Sequence, residues 1–384
     1  LLGKSKQISL FIPLHKRRAG FARLQDSRIE QNVSESIEPV TYYTRIKGVS
    51  LLFIDMIPTG VLFKMGNTIL DHIDRHVKLP VQLFVEEHFR GKSAMVLTKV
   101  LPSLKLRKND ASLEVTSIFF AYVLFAITFC LCATVSSVLL SPKIFRKYWA
   151  RVSDSDKKIW HTNMDTYFPA FFVTLFALPA ILTFDGGDGT KFVHRASLDT
   201  VRACGLSLGY MAWDLAVMLE DPKGQQATYG GKKAYYLFIV HHVFSICIWP
   251  YAVLAGRCVY FVNFFLVSEV TNSNMSTRWF LLKCKLEKSA FYVLNGLAWI
   301  PLFLGVRVLV IPLMLKAFIF GSWTELSVGE KIVAFTTLPI PSMLNVYWAR
   351  MIVRNALKYL VTGKDPEDSS SSDAAPMGNT KKTN

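Results

Sequence analysis

The chain has 384 residues, of which 51% are hydrophobic, 13% aromatic and only 19% charged, with 28 phenylalanines. That is too apolar for an ordinary soluble protein of this length and reads as an all-α, polytopic membrane protein. The net charge of +16 does not carry a nucleic-acid reading. Lys and Arg fall in the N-terminal third and in loops between apolar blocks, where they mark cytoplasmic loops and anionic headgroups.

Residues 1–116 form a basic N-terminal extension. It holds Lys16-Arg17-Arg18 and a moderately apolar run from Val49 to Phe63, short for a span and interrupted by Asp55 and Pro58; either this run is an additional span or the basic extension escapes the positive-inside rule as long domains do. From Ile69 to Phe89, Leu70, Ile73, Val77 and Phe84 recur among charges in a roughly helical pattern, as in an interfacial helix. His72 and His76 beside Asp71 and Asp74 have i,i+4 spacing, which the exposed face of such a helix also produces. The chain starts at Leu1, which is expected of a fragment or a processed product, and no cleavable signal is expected at its start. The cysteines at 130, 132, 204, 247, 258 and 284 lack the paired spacing of a zinc site or disulfide framework and are expected to be free thiols, mostly buried.

Residues 117–163 read as a first span and a basic loop, 164–358 as the main transmembrane domain, and 359–384 as a disordered tail. The expected spans are 117–140, 167–183, 203–219, 235–255, 258–273, 289–313 and 332–353, about seven in all. The fourth and fifth form a tight hairpin around Gly256-Arg257; six spans remain an alternative because the fifth is short. Asp185 to Gly189 is a loop, and Pro339 and Pro341 kink the last span. The tail from Asp365 has no apolar residues to pack. It ends Lys381-Lys382-Thr383-Asn384, a dilysine pattern that COPI-type machinery reads on cytosolic tails of endoplasmic-reticulum proteins. A cytosolic C-terminus makes the loops at 141–166 and 274–288 cytosolic, and both are basic, as the positive-inside rule asks.

Inside these spans sit Asp214, His241, His242, Glu269, Asn295 and Asn345. Counted from the expected span ends at about 1.5 Å per residue, they form one layer roughly 6 to 12 Å below the cytosolic face. Two carboxylates and two imidazoles exceed what helix packing requires, whereas Asn295 and Asn345 taken alone fit helix-to-helix hydrogen bonding. Adjacent helical residues point about 100° apart, so one of His241 and His242 faces a substrate while the other packs. Ser245 lies one turn on. A His whose second nitrogen meets Asp214 or Glu269 is held in one tautomer and can serve as general base or acyl acceptor. A metal site is the competing use, although this spacing is not a known ligand pattern. Arg307, near the far end of the sixth span, is expected to snorkel to the opposite headgroups.

From about residue 165 to 355 the chain resembles the TLC-domain family, which includes the ceramide synthases. The likeness rests on Gly209-Tyr210 with Asp214, on His241-His242, on Ser268-Glu269 followed by Arg278-Trp279-Phe280, and on Asn295-Gly296 followed by Val306-Arg307 and Ile311-Pro312. It looks closest to the TLC domain-containing proteins, which are implicated in membrane-lipid composition. The resemblance implies a TLC-type barrel of helices around a lipid-accessible cavity. His241, His242, Asp214 and Glu269 then form its polar centre, the catalytic group if the protein is an enzyme, and Tyr210, Ser245, Asn295, Asn345 and Arg278 are the expected lipid-binding residues. It implies membrane lipids, and fatty acyl-CoA for a transferase, as partners, with no cofactor or metal. Where ceramide synthases carry Asp-x-x-Asp, this chain has Glu269-Val270-Thr271-Asn272, which weakens a carry-over of N-acyl transfer. Two functions follow: a lipid-binding or lipid-sensing membrane protein, and an acyltransferase that uses the His pair. A seven-span receptor lacks its Asp-Arg-Tyr and Asn-Pro-x-x-Tyr motifs.

Overall fold

The computed structural model describes residues 68, 71–104, 112–150, 152–228 and 231–362. These fall into two compact units divided between Phe84 and Val85. The Val49 to Phe63 run, the tail from Asp365 and the Lys381-Lys382 pattern lie outside the described residues. In the N-terminal unit a wide turn at Asp74–Lys78 is spanned by a 3.1 Å ion pair between Lys78 and Asp74. His72 and His76 are both exposed there, with ring centroids 4.3 Å apart, as a solvated helix face predicts. The turn leads into helix α1 (Leu79–Leu104).

The larger unit is all-α, and its described residues contain only one isolated extended bridge, Val193 with Arg257. Its first helix, α2 (Leu113–Ile144), opens on Ser112, whose hydroxyl accepts from the Val115 amide at 3.2 Å. Next come α3 (Arg146–Trp149) and α4 (Asp154–Asp165). The chain then passes through a π turn at Pro169–Val173 into α5 (Thr174–Leu182). After α6 (Leu198–Glu220), α7 (Pro222–Thr228) and α8 (Lys232–Leu254) comes a near-continuous rod of α9 (Val259–Val267), one 3-10 turn and α10 (Thr271–Lys283). A second rod joins α11 (Ala290–Phe303) to α12 (Ile311–Phe320) through a π turn at Leu304–Val308. The last pair is α13 (Val328–Thr337) and α14 (Pro339–Thr362), broken at Leu338 just before the expected prolines.

Five stretches of the described residues are long and apolar enough to cross a membrane: Leu113–Ile144, Asp156–Leu182, Lys232–Leu254, Ala290–Phe320 and Val328–Arg354. The two remaining expected spans are also helical. Residues 203–219 lie in α6, and 258–273 open the rod that continues to Lys283. The second span starts at Asp156 rather than Tyr167, because the polar residues of α4 stay helical behind a Ser153 cap. The sixth runs to Phe320 rather than Leu313.

Helix α6 is the hub, buried from Thr200 to Met211 against α2, α5 and α8. Gly205 and Gly209, one turn apart, let it press onto α2. A Cβ at Gly205 would strike the Phe119 carbonyl and one at Gly209 the Val123 carbonyl and Ala126. Small residues four apart are how helices approach closely where lipid removes the hydrophobic drive to associate.

One end of the bundle is closed by a cap. Residues 183–197 lace onto the turns at 255–258 and 321–327 through Ser322 N to Thr190 O at 2.7 Å, His194 N to Gly256 O at 2.9 Å and Cys258 N to Phe192 O at 2.8 Å. Phe192 is fully buried beside Phe261, Met314 and Ala317. The expected hairpin between the fourth and fifth spans is present; Gly256 has a φ of +65° and Cys258 one of +52°, so both turn in the left-handed region. Around the Asp185 to Gly189 loop, Asp185 bonds His194 at 2.7 Å and Asp188 bonds Lys316 at 3.0 Å, so this loop ties helices together. The opposite, basic end packs α3 and α4 against the end of α10 through Trp160, Ile159 and Trp279, with Lys283 bonded to Asp156 at 2.7 Å. All six cysteines are free thiols; Cys132 and Cys247 are exposed and the other four buried.

Candidate functional site

The register between α6 and α8 is set near the basic end, where the Tyr235 hydroxyl donates to the Met218 carbonyl at 3.1 Å. One turn before Met218 and two turns after Tyr235, Asp214 and His242 then meet, Oδ2 to Nε2, at 2.9 Å. His242 is 6% exposed, and its Nδ1 lies 2.8 Å from the Phe238 carbonyl one turn back. That carbonyl can only accept, so Nδ1 carries a proton. A second proton must bridge Nε2 and the Asp214 carboxyl, and the pair is therefore electrically neutral as a unit. Both ring nitrogens are committed, so His242 keeps no lone pair for a substrate.

His241 is placed differently. Its ring lies edge-on to His242 with centroids 5.5 Å apart, it is exposed, and it makes no hydrogen bond among the described residues. It nevertheless feels the charges of Asp214 and Arg307, so it stands at an open edge of the buried polar centre. The 100° rotation between neighbouring residues has given one imidazole to packing and one to an opening.

On the far side, Glu269 is 9% exposed and accepts from Asn272 Nδ2 at 2.6 Å, within electrostatic reach of His242, Asp214 and Arg307. Arg307 is the main correction to the sequence reading. Instead of snorkelling outward it turns inward and donates to Thr271 Oγ1 at 2.9 Å, to the Ser268 carbonyl at 2.9 Å, and more loosely to Asn345 Oδ1 and Asn272 Oδ1 at 3.3 and 3.4 Å. One guanidinium thus clamps three elements: the rod of α9 and α10, the π turn on which it sits, and α14. Its planar fork of five donors suits this job better than a point charge would. Asn345, 5% exposed, is a ligand of that clamp.

The other expected residues lie apart from this centre or beside it. Asn295 exchanges two bonds with Asn274, accepting from its Nδ2 at 3.1 Å and donating to its carbonyl at 2.9 Å, which staples α10 to α11. Arg278 stacks over the Tyr292 ring at 4.4 Å, closer to the basic end. Ser245 is buried one turn beyond His242, and Tyr210 is buried one turn before Asp214. Among the described residues no three His, Cys, Asp or Glu side chains converge as metal ligands. The structural helix ends also set the centre deeper than the sequence count. Asp214 lies six residues from Glu220, His242 ten from Lys232 and Glu269 fourteen from Lys283, or roughly 9, 15 and 21 Å at 1.5 Å per residue.

Asp165 was not read as a site residue because it sits in a polar stretch taken for a loop. It is 1% exposed, its Oδ2 accepts from Thr134 at 2.6 Å and from Trp213 Nε1 at 2.9 Å, and its Oδ1 is enclosed without a partner. It lies in the field of Asp214. The missed signal for Arg307 was a lone cation well inside a long apolar run.

The TLC domain family model matches residues 159–354. The TLC domain-containing protein 4 A of Dictyostelium discoideum is 30% identical over 124 residues, 32% of this chain and 48% of the relative, so the chain spans about half that protein's length. The TLC domain-containing protein 4-A of Xenopus laevis is 25% identical over 59% of this chain and 87% of its own length. The 4-B protein of Danio rerio is 25% identical over 60% and 84%.

Proposed function

The chain belongs to the TLC-domain family, and on that premise we propose that it works in membrane-lipid homeostasis by binding or sensing a lipid at the polar centre around His241. The observation that carries this reading is the contrast within the pair. His242 is sealed in a neutral unit with Asp214, while His241 beside it is exposed and makes no hydrogen bond among the described residues. An imidazole at an open edge can donate to or accept from a lipid headgroup, and the neighbouring apolar helix faces can hold its chains. Arg307 and Glu269 set the field behind it, and Arg307 ties the surrounding helices together.

His241 also supports a second reading, acyl transfer of the ceramide-synthase type. A free imidazole can take the proton from a lipid amine or hydroxyl as that group attacks the thioester carbonyl of a fatty acyl-CoA and expels the thiol. The Glu269-to-Asn272 stretch, with an amide in place of a second acid, favours the binding function. In either case Lys381-Lys382 support residence in the endoplasmic reticulum with a cytosolic C-terminus, where COPI-type coat proteins would read the tail.

The experiment is an assay of the purified protein in lipid nanodiscs with fatty acyl-CoA and a sphingoid base, beside His241→Ala, read by mass spectrometry. Binding without turnover predicts no amide product and a co-purifying lipid that the variant loses. Amide product that disappears in the variant would establish the transferase, and neither signal would overturn both.

A further inference from the structure

A groove of about 390 Å³ runs along the outside of α2, between it and the start of the second span. Its α2 wall is a single stripe, Phe129, Ala133, Ser136 and Leu140 through Ile144, and its other wall includes Tyr167 and Phe172. From Phe129 to Ile144 the stripe rises fifteen residue steps, about 22 Å at 1.5 Å per residue, against about 15 Å for one leaflet of a 30 Å hydrocarbon core. Its volume falls within the 300–1,000 Å³ or so of small-molecule sites.

The groove is lined almost wholly by carbon but ends in charge. Lys143 follows Ser136 and Leu140 at i+7 and i+3, so it continues the same stripe, and Arg146 and Lys147 follow directly on Phe145, which also lines the groove. All three cations are exposed, and none has a carboxylate within ion-pair distance among the described residues. The two acids in the first turn of α4 are spoken for, Asp154 pairing with Lys157 and Asp156 with Lys283, and Asp165 at its end is buried against Thr134 and Trp213. An apolar channel longer than a leaflet on a membrane-spanning helix, followed in the chain by three exposed cations with no carboxylate partner among the described residues, has the shape and charge of one ligand class.

We propose that this groove is a binding site for an anionic glycerophospholipid of the leaflet at the basic end, with an acyl chain along α2 and the phosphate at Lys143, Arg146 and Lys147. The site is separate from the His241 centre, so it stands whether or not that centre binds or turns over lipid.

The test is native mass spectrometry of the full chain released from nanodiscs of phosphatidylcholine and phosphatidylserine in equal parts. The wild type is expected to retain phosphatidylserine preferentially. Lys143→Ala, a surface change that leaves the packing intact, is expected to lower that preference about fivefold, the equivalent of about 1 kcal/mol for one basic residue near an anionic surface. Ser136→Trp, at an exposed position inside the groove, is expected to displace the retained lipid whatever its headgroup, while His241→Ala leaves it in place. Equal retention of the two lipids, or a preference untouched by both Lys143→Ala and Ser136→Trp, would overturn the proposal.

Discussion

The cap and the polar centre both hold charged groups close to the bundle, but they use them in opposite ways. In the cap Asp185 has His194, Asp188 has Lys316, and Glu330, in the first turn of α13, has Arg257 at 2.8 Å and the Tyr251 hydroxyl at 2.7 Å. These acids close on donors within the cap, and the result is a lid of hydrogen-bonded loops. In the centre, His242 with Asp214 and Arg307 with its ring of acceptors are equally well satisfied, yet beside them the exposed His241 ring and the buried Asp165 Oδ1 have no hydrogen bond among the described residues. Polar groups in a membrane protein are thus structural when their bonds close on each other, and they mark a site where one is left open.

Breaking the cap should cost as much stability as breaking the centre. Arg257→Ala removes the cation from Glu330 but leaves it the Tyr251 hydroxyl and the Ser327 amide, and is expected to cost about 2–3 kcal/mol, seen as a lower unfolding temperature in nanodiscs. Replacing both partners with Met should recover much of that loss, since no uncompensated charge remains. The centre offers the sharper contrast. His242→Ala leaves Asp214 without its donor and is expected to cost roughly 2–3 kcal/mol. His241→Ala is expected to shift stability by less than about 0.5 kcal/mol, as for an unpartnered exposed residue, while abolishing lipid binding or turnover. If the two variants lost stability equally, the division of labour within the pair would be wrong.

The smallest effect is confined to the Asp185 to Gly189 loop at low pH. Hydrogen bonds from Thr190 and Lys316 hold the Asp188 carboxyl down to about 2, and His194 lowers that of Asp185. Groups with depressed values stabilise the fold above the ordinary carboxylate value of about 4 and lose that contribution as pH falls toward the folded value. Amide exchange across residues 184–194 is therefore expected to speed up between about pH 4 and pH 2, while exchange in α6 stays slow. Lys316→Met should leave the loop looser already above pH 4 and shrink its further speed-up between about pH 4 and pH 2.

Much of this was legible in the chain. The helical class, the hairpin at Gly256, the break at Pro339 and the placement of Asp214, His242 and Glu269 inside the bundle follow from hydropathy and from the cost of charge in lipid. Arg307 was not legible, because its depth was counted in a span that ended at Leu313. With the rod running to Phe320, the same residue sits near the middle and its only escape is inward. Asp165 was hidden for a related reason: a polar run reads as loop unless a serine cap and a neighbour such as Trp213 keep it helical and supply a donor.

The sequence by itself determined which residues must avoid lipid and which stretches are apolar enough to enter it, since those costs belong to each residue and its near neighbours. Only the tertiary structure decided which buried groups satisfy each other and which one stays open. Hydrogen bonds such as Arg307 to Thr271 or His242 to Asp214 join residues 28 to 36 positions apart, and their geometry depends on helix register that close contacts such as Gly205 and Gly209 against α2 set. No local pattern carries that information, because a hydrogen bond is won or lost over a few tenths of an ångström.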